Sequence, residues 1–588
     1  MPSSSSSSSS SPSAEQQRRS RSATRSKSPA RKAAASAAGG ATTTTRSPSR
    51  SRSSTNNEQS SPVRRRTVPA ASSAAATGTP TQNADTLAAP GAGSGAGSAS
   101  GSESRGGRTP LVASKRTPAS HSSAATSRGL KTTATTATTT TISAALRAVE
   151  HTAYEFGGPV GCLSIMVVSH VILYYVYYAL HFNGGNMYAP TSLADVGHAA
   201  SQLVQATTPT AATLAFYVAF VVVEGVFACV LPGLDLLGRP DDKGDRLVYR
   251  CNGLLSWYLT LVGIAIAFYK PAYEYLFQLE HSPLVWYYDN MGRMMSTAVL
   301  AGNGVALACY VYGRAANMTH RMTGSVIYDF FMGAILHPRI GLLDFKFFAE
   351  IRISWYLLFI NTVSCVAKLA SEDKPVPPSL YLLVLAHGLY ANATAKGEHY
   401  VPPTWDMFYE KFGWMLSFWN FAGVPFLYCL QSVYLVTHDP EYSVATVVAL
   451  AVILLAAYYI WDTAQSQKNH FRLEREGTVV KRWTFPNLPW RTLTNPKVIE
   501  TASGSPLLVD GWWQFARKIH YSCDICFALI WGLSCGFGHF LPYFYVIFFT
   551  SMILHRYDRD MTRCALKYGK DWDRYLEAVP YAFIPGIF

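Results

Sequence analysis

The sequence predicts an all-α, polytopic membrane protein of about ten transmembrane helices, with a C-terminal ligand-binding region and a long disordered basic tail in front. Three observations carry this expectation. Apolar segments of membrane length recur after residue 157. Residues 1–140 hold 19 Lys+Arg against 4 Asp+Glu, which leaves 31 basic and 32 acidic residues in the rest. Ionisable side chains interleaved with Trp and Tyr gather in the second half, where bilayer-length segments should contain few of them.

The tail, residues 1–145, is rich in Ser, Thr, Ala and Arg, opens on an unbroken run from Ser3 to Ser11 and has almost no large apolar residues. It cannot bury enough surface to offset its chain entropy, so a disordered cytosolic segment is expected. The net charge of +14 resides in this tail and does not argue for a nucleic-acid-binding fold. Its Arg-Ser pieces, such as Arg19-Ser20-Arg21-Ser22, suit anionic lipid, nucleic acid or phosphorylation; a solvated tail without a specific partner is the plainer reading. No apolar stretch of signal-peptide type occurs before residue 140, so the first membrane helix is expected to serve as the targeting signal.

The apolar segments run approximately over 160–180, 211–231, 253–269, 294–312, 353–369, 379–395, 412–436, 442–461 and 524–554. About 20 residues are needed per span, so the last is too long for one. Gly536-Phe537-Gly538-His539-Phe540-Leu541-Pro542 interrupts it, which predicts a helical hairpin. An even count puts both termini on one side, and the basic tail places that side in the cytosol. The ten cysteines are scattered, with no disulfide-type spacing. Cys523-Asp524-Ile525-Cys526 lacks a second pair or a His at ligand spacing, so no metal is expected.

Three clusters of polar residues stand out. In Asp344-Phe345-Lys346-Phe347-Phe348-Ala349-Glu350-Ile351-Arg352, Lys346 and Glu350 are one helical turn apart, as are Phe348 and Arg352, which fits a structural clamp or part of a ligand site. In the second cluster Asp406 and Glu410 are also one turn apart. As like charges in a desolvated place they would keep one carboxyl protonated and usable as an acid, whereas in solvent they would only complement a helix dipole. The third, C-terminal cluster includes Lys468 and Arg472, Trp512-Trp513, Arg517-Lys518-Ile519-His520-Tyr521 and His555-Arg556-Tyr557-Asp558-Arg559-Asp560. Cations interleaved with aromatic rings suit a ligand carrying phosphates and flat heterocycles. Interfacial anchors use the same residues, but Asp560 and Tyr575 among so many cations favour the ligand.

These clusters carry a resemblance. Tyr328-Asp329 to Gly333 with Pro338-Arg339, the Asp344 to Arg352 run, and the ending from His555-Arg556 through Lys567-Tyr568-Gly569, Asp571-Trp572 and Val579-Pro580-Tyr581 are similar to the sterol reductase family, which includes lamin B receptor. Tyr400-Val401-Pro402-Pro403-Thr404-Trp405-Asp406, Phe418-Trp419-Asn420-Phe421 and Ala516 to Tyr521 resemble its fungal-type delta-24(28) branch of ergosterol synthesis. The resemblance implies a multi-pass enzyme of the endoplasmic reticulum membrane that uses NADPH. Transmembrane helices over 146–460 would form the sterol pocket, and a cofactor-binding region with the last hairpin would occupy 461–588. It implies that Lys468 and Arg472 meet phosphates and that Leu508, Trp513, His520 and Tyr521 line the cofactor site. Asp560, Cys564, Lys567, Tyr568 and Tyr575 would complete it. His520 stands where other branches have Asn.

The implied reaction is reduction of a 24(28) double bond in a sterol side chain. An isolated alkene is no electrophile, so protonation must precede hydride transfer in a dry site. Asp406, Glu410 and Asp560 are the candidate acids, with Tyr390 and Glu398 behind them; the residues alone do not rank them. The sterol would enter from the bilayer, and other sterol-pathway enzymes are conceivable partners. The alternatives are reduction of a 14 or 7 double bond, a non-catalytic nuclear-envelope scaffold, and an isoprenylcysteine-methyltransferase-like enzyme.

Overall fold

The computed structural model describes residues 154–240 and 244–588; the expected disordered tail lies outside them. Helix α1 (Gly158–Phe182) starts at Gly157, whose φ of 73° suits glycine, with proline in its first turn. α2 (Leu193–Thr207) and α3 (Ala211–Val230) each open on a capping box, Ser192 with Asp195 and Thr210 with Thr213. A hairpin of β1 (Leu234–Pro240) and β2 (Arg246–Cys251) follows. Next come α4 (Gly253–Phe268), α5 (Lys270–Phe277), α6 (Pro283–Asp289), α7 (Met291–Ala315) and α8 (Val326–Met332).

The Asp344 to Arg352 cluster does not form a regular helix. One turn, α9 (Phe345–Phe348), passes into a wider π turn (Ala349–Ile353) and then into α10 (Ser354–Ser371). Of the apolar window in Phe345–Ser371, 89% is buried, against 17% for α3, so α10 is the central helix. It packs against α6 and α11 (Pro378–Lys396).

The segment 412–436, read from sequence as one span, is broken into α13 (Trp414–Phe418), a π turn (Trp419–Gly423), α14 (Val424–Leu427) and α15 (Leu430–Tyr434). Before it, α12 is a single turn (Trp405–Phe408). Asp406 is therefore helical but Glu410 lies past the helix end, and the expected shared helical face is not formed.

α16 (Val444–Glu476) has 33 residues and is about 50 Å long. Ser443 caps its start, and Gly477 in the left-handed region ends it. α17 (Ile519–Leu533) and α18 (Phe544–Tyr568) pack together as the hairpin that the Gly536 to Pro542 turn predicts, and α19 (Lys570–Ala578) closes the chain.

Among the described residues, five helices are long and apolar enough to cross a membrane, or six if the sharply bent pair α4 and α5 is one span. The sequence count of about ten also included segments that the structure shortens or breaks, such as α13 to α15 and α17.

Lys346 is fully buried, and its ammonium donates to the backbone carbonyls of Asp406, Met407 and Glu410 at 2.9, 2.8 and 2.7 Å. Gly333 and Gly413 meet back to back beside this loop, where a Cβ on either would overlap the other's backbone. Lys346→Met keeps the apolar stem but strands three carbonyls, and is expected to cost about 3 kcal/mol. Thermal unfolding of the detergent-solubilised variant checks this; an unchanged melting temperature would deny Lys346 its clamp.

Candidate active site

The polar C-terminal halves of α16 and α18 frame a cavity of about 420 Å³. Helical spacing explains why they meet there. Lys468 and Arg472 share one face of α16, while Arg556, Arg559, Asp560, Arg563, Cys564 and Lys567 recur every three or four residues along α18 and form one stripe. The 403–410 loop, residues 504–508, the start of α17 and Arg239 from the β1–β2 hairpin complete the wall. Ten Lys and Arg side chains line it against four carboxylates, so the cavity is built to receive anions.

Three of the four carboxylates are committed to these cations. Asp406 pairs with Arg556 at 3.2 Å, and Asp560 pairs with Lys518 at 2.7 Å. Glu410 lies 3.5 Å from Arg559 and accepts from the Trp405 indole at 3.0 Å. Burial alone would push Glu410 up, but Arg559, the Trp405 bond, Arg321 and Arg556 hold it below the usual carboxylate value. The sequence expectation of mutual repulsion raising these groups therefore fails for Glu410, because arginines and not Asp406 dominate its surroundings.

Aromatic faces alternate with the charges. The Arg563 guanidinium lies 3.0 Å over the Trp405 ring and Lys468 4.0 Å over Trp513. Trp513 is anchored by its indole N–H to the Ala464 carbonyl, 2.8 Å. Tyr568, Trp572 and Tyr575 form a stacked run at one end. Lys567 donates to the Tyr568 hydroxyl at 3.0 Å, and burial followed by the charges of Arg472, Arg239 and Arg563 pushes its ammonium down to about 8. Together these groups can grip several phosphates and sandwich planar rings.

Residues 150–588 match the ergosterol biosynthesis ERG4/ERG24 family. The chain belongs to this family. It is 41% identical over 445 residues to the Delta(24(24(1)))-sterol reductase erg4A of Aspergillus fumigatus, covering 74% of this chain and 93% of that one. It is 42% identical over 441 residues to the Delta(24(24(1)))-sterol reductase of Gibberella zeae, covering 73% and 72%. To the Delta(14)-sterol reductase of Dictyostelium discoideum it is 32% identical over 448 residues, covering 74% and 92%.

Within this ERG4/ERG24 chain the cavity brings together Lys468, Arg472, Leu508, Trp513, Tyr521, Asp560, Cys564, Lys567, Tyr568 and Tyr575. His520 is fully buried behind the wall, its ring 5.0 Å from Trp513 and 4.4 Å from Tyr521. Asp406 and Glu410 line the same cavity. Tyr390 does not. It lies on α11 among Trp355, Trp461, Phe527 and Trp531, and its hydroxyl donates to Asp524 at 3.4 Å. Glu398 is held elsewhere by Arg482 at 2.7 Å and Arg352 at 3.7 Å.

Sequence reasoning placed Arg556 and Arg559 in the cluster suited to phosphates, but it did not name Arg563 and missed Arg239 and Trp405 as wall residues. The stripe on α18 was available as a helical period. Arg239 carried no signal, because only the hairpin's tertiary position brings it there.

Proposed function

We propose that the protein reduces the 24(28) double bond of a sterol side chain with NADPH, within ergosterol-type sterol synthesis. The locant 24(24(1)) in the relatives' names denotes the same exocyclic bond. The observation that carries the reading is the arginine-and-aromatic cavity in a chain 41–42% identical to two Delta(24(24(1)))-sterol reductases. The lower identity of 32% to a Delta(14) enzyme supports the side-chain bond over a ring bond. We further propose the ten-span arrangement in the endoplasmic reticulum membrane with both termini cytosolic; the shorter or broken apolar helices would supply the remaining spans.

The residues present fit the cofactor. Lys468, Arg472 and Lys567 would hold its phosphates, with Trp513, Tyr521, Tyr568 and Tyr575 against its rings. When bound, NADPH supplies a hydride. The chain must bring the sterol side chain to that hydride from the bilayer side, exclude water and deliver a proton to the exocyclic carbon, leaving the positive charge on the tertiary branch carbon. Asp406, Glu410 and Asp560 sit in ion pairs with Arg556, Arg559 and Lys518, an arrangement suited to shaping the cavity. Tyr390, uncharged among buried rings, marks the drier side of the site, where protonation belongs.

Microsomes containing the expressed protein, given NADPH and sterols unsaturated at 24(28), 14 or 7, are expected to lose only the 24(28) bond, with products identified by mass spectrometry. Reduction at 14 or 7 instead would sink the assignment. Lys468→Met is expected to raise the KM for NADPH at least about tenfold and to change kcat little.

The NADPH 2′-phosphate is a dianion above pH 7, whereas Lys567 loses its proton around pH 8. The phosphate favours the protonated lysine, so NADPH affinity is expected to fall as pH rises through about 8, by up to about tenfold between pH 7 and 9. Titration by tryptophan fluorescence checks this, and Lys567→Met should bind more weakly with a flatter profile.

A further inference from the structure

Asp524 takes no part in the cavity, yet it lies one turn beyond Tyr521 on α17. Residues three apart share a helix face, about 5–6 Å between Cβ atoms, so Asp524 sits just beneath the wall that Tyr521 forms. It is fully buried and forms no ion pair among the described residues. Asp462 on the facing helix α16 pairs with Lys396, Glu398 with two arginines, and Asp406, Glu410 and Asp560 with cations of the cavity; Glu224 and Asp329, also buried without an ion pair among the described residues, each accept two or more hydrogen bonds instead. Oδ1 of Asp524 accepts the Tyr390 hydroxyl, and its Oδ2 is buried without a well-formed hydrogen bond.

Burying a carboxylate with no cation beside it costs more than burying the neutral acid, so this group is cheapest with its proton on. A neutral carboxylic acid is also far stronger than a phenol, by about six pKa units between reference values. Around the pair stand the rings of Trp355, Trp461, Phe527 and Trp531, with centroids 4.4 to 6.3 Å from that of Tyr390. Such faces stabilise a passing positive charge.

We infer that Asp524 is the acid that protonates the sterol alkene, with Tyr390 positioned to stabilise the carboxylate left behind. The inference rests on the reductase reading proposed above. The Asp524 O–H bond breaks and the alkene π pair forms a C–H bond at the exocyclic carbon. The resulting tertiary cation, beside these rings, would take a hydride with its electron pair from the dihydronicotinamide. A proton from solvent restores Asp524 before the next turnover.

The test compares wild type, Asp524→Asn, Asp524→Glu and Tyr390→Phe in microsomes, with three readouts. These are turnover of a 24(28)-unsaturated sterol, NADPH binding by tryptophan fluorescence, and binding of a sterol whose side chain carries a protonated amine at the branch position, against its neutral isostere. D524N is expected to lose at least about 100-fold in turnover while binding NADPH within threefold of wild type. D524E should regain part of the loss, and Y390F should lose about tenfold. Wild type should prefer the ammonium sterol at least tenfold, and D524N should lose that preference. Turnover of D524N within tenfold of wild type, an intact ammonium preference, or loss of NADPH binding with turnover would each overturn the inference. If wild type itself leaves the 24(28) bond intact, the reductase reading falls, while the ammonium-sterol comparison still decides whether Asp524 faces a side-chain charge.

Discussion

The buried ammonium of Lys346 is the contact on which the site depends. Its three bonds to the Asp406, Met407 and Glu410 carbonyls fix a loop whose only regular structure is one helical turn. A lysine suits this position because its three N–H groups can each meet a carbonyl. The fixed loop then presents Asp406 to Arg556 and Glu410 to Arg559. Without those carboxylates, the stripe of Arg556, Arg559, Arg563 and Lys567 on α18 would face Lys468 and Arg472 with little to offset the repulsion. Glu155, just ahead of α1, adds a third partner at 2.7 Å from Arg559, so the N-terminal edge of the described chain also holds α18 in place.

That dependence explains which parts of the molecule the sequence makes legible. Helical periodicity brings Lys468 to Arg472 and aligns Asp560, Cys564 and Lys567, and these do line one cavity. The turn from Gly536 to Pro542 separates α17 from α18 because glycine and proline act locally. Features set by tertiary contact stay hidden. The π turn at Ala349 to Ile353 shifts Lys346 relative to Glu350 and Arg352 in a way that no spacing of 3.6 residues forecasts, and a second π turn at Trp419 to Gly423 breaks a segment whose hydropathy reads as one span. Arg239 reaches the cavity from a hairpin more than 200 residues away from Lys468 in the sequence, where residue type and spacing say nothing about destination.

Asp524 illustrates a different blindness. In sequence it is the filling of a Cys-x-x-Cys, and attention goes to the thiols of Cys523 and Cys526, which form no disulfide. What distinguishes Asp524 is a buried Oδ2 without a well-formed hydrogen bond, joined to the lack of an ion pair among the described residues, and an absence has no sequence motif. Its hydrogen-bond partner Tyr390 comes from α11, and that ring packs in turn on Trp355 from α10 and Trp461 from α16.

The two polar environments have opposite requirements. A site for phosphates must keep its cations charged, and in this cavity Asp406, Glu410 and Asp560 are each answered by an arginine or lysine. A site that protonates an alkene needs a carboxyl with no such answer, since a paired carboxylate has no proton to give. Had Asp560 or Glu410 served both ends, each ion pair that shapes the cavity would have silenced the acid. Separation by one turn of α17 resolves the conflict: Tyr521 lines the charged cavity, while Asp524 lies beside Tyr390 within a buried aromatic cluster and forms no ion pair among the described residues.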